Sequence, residues 1–230
     1  MSQPNKNKPG PLVVLTLFSL ATVAGLLRLG AAQDSTLDFA KRDVWQSPEE
    51  VMDELGIRPG SVVGDVGCGT GYFTFHFAAR VGPNGKVYAE DIDVEVLRKI
   101  QAHLQKEHLK QIETIEGTSE DPKLPPDKLD AILITNAYHE MKNFDRMLQS
   151  MYRALKPGGV LGIIDHEAEP GQSRSDYQEH HRIPEQLVRD DLARNAFHFL
   201  RKEPGFESTQ SGKKYYFLIF EKPRSVLKAD

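Results

Sequence analysis

The stretch Val62-Val63-Gly64-Asp65-Val66-Gly67-Cys68-Gly69-Thr70-Gly71-Tyr72 constrains this chain more than any other. A short β-branched run, of the kind that favours strands, closes on an acidic residue. Three glycines then follow at alternate positions, and a helical pattern opens at once with Tyr72. Glycines at such a junction let the backbone turn tightly and let a ligand approach it without Cβ interference. The N–H groups that open the following helix face the same space with a favourable dipole. The combination predicts a nucleotide-type site at the end of a strand.

The rest of the chain alternates strand and helix patterns around that turn. Residues 61–66 read as the first strand, and a helix from Tyr72 to Val81 presents Phe73, Phe77 and Val81 on one face. Residues 86–90 form a second strand. A helix over 94–107 carries Val96, Leu97, Ile100 and Leu104 at helical spacing, and a short strand follows over 112–116. The run Leu129-Asp130-Ala131-Ile132-Leu133-Ile134-Thr135 is the most continuous apolar strand, as the centre of a parallel sheet requires. A helix over 144–155, a stop at Lys156-Pro157-Gly158-Gly159 and a strand over 160–165 come next. Residues 166–183 read as a charged lid, 184–197 as a helix, 199–207 as an interrupted edge strand and 214–221 as an aromatic-rich final strand. Upstream, Ser47-Pro48-Glu49-Glu50 predicts a helix start, with Ser47 and Glu50 as a capping box and Pro48 at the first helical position. This pattern specifies an α/β fold, a Rossmann-like three-layer sandwich with a mainly parallel sheet. Such sheets bind ligands at the carboxyl ends of their strands.

The strand ends that matter here carry unusual residues: Asp65 to Gly71, Glu90-Asp91, Thr118, Asn136 to Glu140, and Asp165-His166. The glycines fit D-x-G-x-G-x-G; the dinucleotide fingerprint G-x-G-x-x-G would need a glycine where Tyr72 stands. A leading acid suits a ligand with an amino group better than a pyrophosphate. Asp91 follows Gly71 by 20 residues, at a strand end where a carboxylate can accept both hydroxyls of a ribose. Asp93 is placed to cap the next helix, which frees Asp91 for that role.

Asp65-Val66-Gly67-Cys68-Gly69-Thr70-Gly71 resembles the first motif of the class I S-adenosylmethionine (SAM)-dependent methyltransferases. Asp91 is similar to that family's ribose-binding acid. The stretch from Gly117-Thr118-Ser119-Glu120-Asp121 to Leu129-Asp130-Ala131-Ile132 resembles its second region, and Leu155-Lys156-Pro157-Gly158-Gly159-Val160-Leu161 the turn before its fifth strand. The likeness covers about residues 45 to 222, with the motifs in the right order. It implies a seven-stranded sheet whose last strand, over 214–221, inserts antiparallel between the fifth and sixth. It implies SAM as cofactor, with Asp65, Gly67, Cys68, Gly69, Thr70 and Gly71 around the methionine part, Asp91 at the ribose and Ile92 among the cofactor-binding residues. The family often has an aspartate after the glycine of its second region for the adenine amine; Thr118 stands there, with Ser119 and Glu120 as substitutes. Asn136 and Ala137 fall where the family lines the methyl-donor pocket.

Methyl transfer from a sulfonium mainly needs alignment, which alone can supply roughly 7–11 kcal/mol of the barrier. A base helps where the acceptor must lose a proton, and His139 and His166, at the mouths of the fourth and fifth strands, are the catalytic candidates. No metal is expected: adjacent His180 and His181 cannot easily chelate one ion and read as lid residues. A formal charge of −4 gives no basic footprint for nucleic acid, and the single cysteine, Cys68, excludes any multi-thiol mechanism. A small-molecule methyl acceptor is therefore the expected partner. A protein acceptor, and a non-catalytic SAM-binding protein on the same fold, stand as alternatives.

The N-terminus carries Lys6 and Lys8, an uncharged apolar run from Pro11 to Leu27, Arg28, and then small residues at Gly30 and Ala32. This pattern matches a secretory signal peptide; residues 12–32 would also serve as a membrane anchor. Residues 1–32 are thus read as a segment that engages the secretion machinery or a membrane, 33–44 as a linker, 45–222 as the methyltransferase domain and 223–230 as a tail. An exported or membrane-anchored protein is expected, the cytoplasmic face of a membrane being the alternative because the flanking positive charges nearly balance.

Overall fold

The computed structural model describes residues 39–204 and 214–224. The chain divides into a unit of residues 1–34 and a unit of residues 35–230; the fold below is that of the second. The signal or anchor expected over 11–32 lies outside the described residues. Among the described residues no helix is long and apolar enough to cross a membrane.

Seven strands form one sheet: β1 (Val62–Val66), β2 (Lys86–Asp91), β3 (Ile112–Glu116), β4 (Leu129–Thr135), β5 (Leu155–His166), β6 (His198–Lys202) and β7 (Tyr215–Glu221). Their order is β3-β2-β1-β4-β5-β7-β6. The first five pair in parallel, while β7 runs antiparallel to both β5 and β6, inserted between them as the family likeness implies. The order reverses between β1 and β4, so the crevice at their carboxyl ends is the natural ligand site.

Helices α1 (Phe39–Gln46), α2 (Pro48–Glu54), α3 (Tyr72–Val81), α4 (Val94–Glu107), α5 (Phe144–Ala154), α6 (Arg174–Glu179) and α7 (Glu185–Arg194) surround the sheet, with a 3₁₀ turn over Tyr138–Glu140. One face of the sheet packs Val51 and Met52 of α2, Phe73 and Phe77 of α3 and Leu97 and Ile100 of α4 into a single core. The other face packs Met147, Leu148 and Met151 of α5 with Val188 and Leu192 of α7. A side chain such as Phe77, fully buried, contributes on the order of 2–3 kcal/mol. Aromatic and β-branched residues fill both faces of β7, whose first six residues are all buried.

Three local expectations are corrected. Residues 39–44, read as linker, are helical: Phe39 packs its ring edge-on against Tyr72 at 5.1 Å, and Trp45 lies 5.5 Å from Tyr215. Because α1 runs directly into α2, Ser47 sits at the junction with φ 42° and makes no side-chain cap, so the capping box with Glu50 does not form. The lid over 166–183 contains a helix, α6, opened by a capping box between Ser173 and Asp176.

Candidate active site

The glycine loop joins β1 to α3, and all three glycines have positive φ: 69° at Gly67, 52° at Gly69 and 83° at Gly71. At Gly67 a Cβ would lie 2.6 Å from that of Ala137, so the loop presses against the chain leaving β4. At Gly69 a Cβ would meet nothing within 4 Å, so this position faces open space and is reserved by its backbone conformation. The Gly71 N–H donates to Cys68 O at 2.9 Å and closes the turn. Cys68 itself is buried in the core, and burial with neighbouring carboxylates pushes its thiol well up, so it packs as a neutral residue.

Two acids support the loop from behind. Asp65, 2% exposed, accepts the Thr74 hydroxyl at 2.6 Å and ties the loop to α3. Burial pushes it up to about 6 against the opposing pull of Thr74 and Arg42. Glu90, also 2% exposed, accepts the Gly67 N–H at 3.3 Å, while its backbone carbonyl takes the Cys68 N–H at 2.9 Å. Burial raises Glu90 to about 8.

The sign of that shift sets a pH dependence. The folded Glu90 pKa stands above its unfolded value, so the folded state binds the extra proton, and stability is lost as pH rises from about 4.5 to about 8. Each tenfold difference in proton affinity between the folded and unfolded states is about 1.4 kcal/mol, so the window from pH 5 to pH 8 is worth on the order of 3 kcal/mol. Glu90→Gln is expected to remove most of this slope and to raise the melting temperature more at pH 8 than at pH 5. Thermal unfolding across that range checks it; an unchanged slope would mean Glu90 is not the proton acceptor.

Asp91, half-buried at the end of β2, is the open carboxylate. Its two oxygens accept one backbone N–H each, from Gly69 and Asp93, both at 2.9 Å. Each keeps a lone-pair direction for a ligand hydroxyl. Asp93 caps α4 through Glu95 and Val96, as its position in the sequence predicts. Ile92 follows with 63% exposure, an apolar surface on the same rim where a flat base can lie. The loop after β3 is less open than expected: Thr118 Oγ1 is occupied by the N–H groups of Asp121 (3.0 Å) and Glu120 (3.3 Å), and Ser119 stands exposed beside it.

Asn136, leaving β4, holds φ 52°, and among the described residues its buried Oδ1 has no hydrogen-bond partner. An orphaned acceptor next to Ala137, which abuts Gly67, is open to a donor from a ligand or a water. A ligand with ribose hydroxyls, an apolar base and an amino group therefore fits the residues present: hydroxyls on Asp91, base against Ile92, amino group toward Asn136.

The two catalytic candidates lie apart. His139, 4% exposed, places Nδ1 2.7 Å from Asp165 Oδ1, and Asp165, fully buried, also accepts the His139 N–H at 3.1 Å. Burial would lower the imidazole pKa, but the hydrogen bond and charge of Asp165, with Glu140, outweigh it and hold it above its ordinary value. His166, next along β5, points to the opposite face and stacks on Tyr215 with ring centroids 4.0 Å apart. His180 and His181 also separate. His180 Nδ1 lies against Asp176 O, whereas His181 Nδ1 reaches His139 Nε2 at 3.3 Å.

Residues 39–46 add contacts that reading them as linker hid. Asp43 accepts the Tyr72 hydroxyl at 2.7 Å and lies 3.1 Å from His76, and Arg42 stacks on Tyr72 with its charge acting on Asp65. The spacing of Phe39, Arg42, Asp43 and Gln46 is one helix face and was the available signal. A second network, buried Asp191 with Tyr138, Arg174 and Arg194, anchors α6 and had no signature in sequence.

Fold and site together define a class of nucleoside-cofactor enzymes on a seven-stranded sheet with an antiparallel insertion. Residues 57–220 match the family model described as a methyltransferase domain. The chain belongs to the class I SAM-dependent methyltransferase family, whose cofactor is S-adenosylmethionine. It is 29% identical over 132 residues to the demethylmenaquinone methyltransferase of Lactococcus lactis subsp. lactis, covering 57% of this chain and 52% of that protein. The corresponding protein of Bacillus mycoides is 30% identical over the same length, covering 57% and 55%. The chain thus spans about half the length of these relatives. A solved SAM-dependent methyltransferase from Aquifex aeolicus aligns with a TM-score of 0.68 and 26% identity, covering 81% of this chain and 95% of that one. The [4+2]-cyclase SpnF aligns with 0.67 and 19% identity over 80% and 83%. That second likeness shows the fold alone, so the chemistry must be argued from the site.

Proposed function

We propose that this protein is a methyltransferase that moves the SAM methyl group by in-line displacement to a small-molecule acceptor. The observation that carries the reading is the Asp91 carboxylate at the end of β2, its two oxygens each holding one N–H of Gly69 or Asp93, together with the Asn136 acceptor at the end of β4 that has no partner among the described residues. When bound, SAM supplies an activated methyl on its sulfonium. The chain's part is to orient it: Gly67 to Gly71 give backbone access, Asp91 fixes the ribose, Ile92 packs the base, and Thr118 and Ser119 border its edge. Asn136 and Ala137 line the methyl-donor pocket. His139, fixed by Asp165 at the mouth of β4, borders that pocket, while His166 stacks on Tyr215 at the mouth of β5 on the other face. The relatives named as demethylmenaquinone methyltransferases make a quinone-type small molecule, in its oxidised and reduced forms, the first acceptor to test.

Calorimetry with SAM, its demethylated product and NAD, followed by transfer of a labelled methyl to a panel of small acceptors, tests the reading. Binding of SAM and its product without NAD is expected, with label appearing in a small molecule. Binding without turnover on any acceptor favours a non-catalytic SAM-binding role; preferential NAD binding overturns the assignment.

Residues 11–32 are proposed to direct the chain to the secretion machinery or to hold it on a membrane, on the strength of the basic start, apolar run and small-residue end. N-terminal sequencing of the protein from its native cell is expected to give either a start near Gln33 or an intact, membrane-associated chain. An intact chain in the soluble fraction would rule this out. Because SAM is made in the cytosol, a mature start near Gln33 outside it would require an imported supply.

A further inference from the structure

Outside the cofactor cradle, three ligand-type side chains from two separate segments converge. His139 and Glu140 come from the 3₁₀ turn after β4, and His181 from the chain after α6. His139 Nε2 lies 3.3 Å from His181 Nδ1, His181 Nδ1 lies 3.4 Å from Glu140 Oε1, and Glu140 Oε1 lies 3.7 Å from His139 Nε2. A tetrahedral ion with bonds of about 2.0–2.1 Å separates its ligands by about 3.3–3.4 Å. The observed triangle needs adjustments of only a few tenths of an ångström. A hydrogen bond between the imidazoles and ion pairs to Glu140 would draw the same three groups together, and the metal titration below separates the two accounts.

The support behind the triangle has the same character. Asp165 holds His139 Nδ1 at 2.7 Å, which in the neutral ring fixes the tautomer and turns the Nε2 lone pair toward His181 and Glu140. A buried carboxylate in this position is the usual outer partner of a metal-bound histidine. Asp165 is itself held by the backbone N–H groups of His139 and His166. Gln178 of α6 donates to Glu140 O at 3.1 Å, and Ile183 N–H to His166 O at 2.9 Å, so both segments are already docked. His181 and Glu140 are 66% and 57% exposed, which leaves an entry path and open coordination positions.

We propose that His139, Glu140 and His181 form a divalent transition-metal site of the zinc or ferrous type, with Asp165 as positioning residue and an open position for a hydroxylated methyl acceptor. Two imidazoles and one carboxylate suit these ions better than magnesium or calcium. The metal site stands on geometry alone; the acceptor role rests on the methyltransferase reading above. There, the metal lowers the pKa of the bound hydroxyl, whose proton goes to water. The oxygen then forms the bond to the methyl carbon as the carbon–sulfur bond breaks, and the electron pair leaves with the neutral thioether product.

The full chain, free of any polyhistidine tag and stripped with chelator, is titrated with Zn²⁺ by calorimetry and with Co²⁺ by visible absorption. One equivalent is expected, with an intense four- or five-coordinate Co²⁺ band that shifts on addition of acetohydroxamate. His181→Ala and Glu140→Gln are each expected to weaken binding at least tenfold, and Asp165→Asn by about 10–100-fold. The same samples are titrated with SAM, for which His181→Ala should bind as the parent does. Absence of saturable binding at roughly 100 µM metal, or equal binding by the parent and the His181→Ala/Glu140→Gln double variant, overturns the site. A Co²⁺ band indifferent to acetohydroxamate overturns the acceptor role. Metal binding without SAM binding upholds the site and defeats the methyltransferase reading instead.

Discussion

Asp91→Ala is expected to weaken SAM binding roughly a thousandfold while leaving the fold within about 1 kcal/mol of the parent. A hydrogen bond to a charged group contributes about 1.5–3 kcal/mol, and Asp91 is placed to accept two from a ribose. The carboxylate also receives the Gly69 and Asp93 N–H groups, both near solvent, where water replaces a lost acceptor at little cost. The effect therefore falls on the ligand and on the order of the loop, not on global stability. Asp91→Asn, which keeps one acceptor and loses the charge, should lie between the two. Calorimetry with SAM, paired with thermal unfolding of the same samples, separates the contributions. Unchanged affinity in Asp91→Ala would remove the ribose assignment, and with it the main support for the cofactor's orientation.

The cradle was legible because its determinants are local. Alternating glycines, the acid ending β2 and the helix cap at Asp93 lie within one β-α-β unit, and each reports a backbone need that the observed φ values repeat. The bounds of α3, α4 and β4 followed from side-chain periodicity for the same reason. What stayed hidden depends on distant partners. Helix α1 is polar on its own and is completed by Tyr72 and Tyr215 across the domain, so composition alone gave it the look of a linker. Ser47 has the identity of a cap, yet the preceding helix imposes a backbone in which its side chain caps nothing. His181 lies 42 residues from His139, and no spacing rule joins a lid residue to a strand mouth that far back. Adjacency suggested pairing His180 with His181, whereas the capping box at Ser173 and Asp176, which was readable, starts the helix that turns them apart.

Asp191→Ala is expected to cost about 3–4 kcal/mol and to lower the melting temperature by roughly 10 °C. Asp191 is fully buried, accepts the Tyr138 hydroxyl at 2.9 Å and pairs with Arg174 and Arg194. Tyr138 is equally buried, and burial with the adjacent carboxylate pushes its hydroxyl well above the ordinary range, so it stays a donor. Deleting the acceptor strands that hydroxyl, at about 1–3 kcal/mol, and leaves the partly buried Arg174 guanidinium stacked on Phe144 without its counter-charge. Arg194 is half exposed, so Arg194→Ala should change stability by under about 1 kcal/mol and serves as the control. The loss should be local in origin, because Tyr138 precedes His139 and Arg174 opens α6. Amide exchange over residues 138–140 and 174–183 should therefore accelerate more than exchange in β1, β4 and β5. A loss below about 1 kcal/mol, or exchange that rises uniformly over the sheet, would show that the buried carboxylate is not what holds the lid to the mouth of β4.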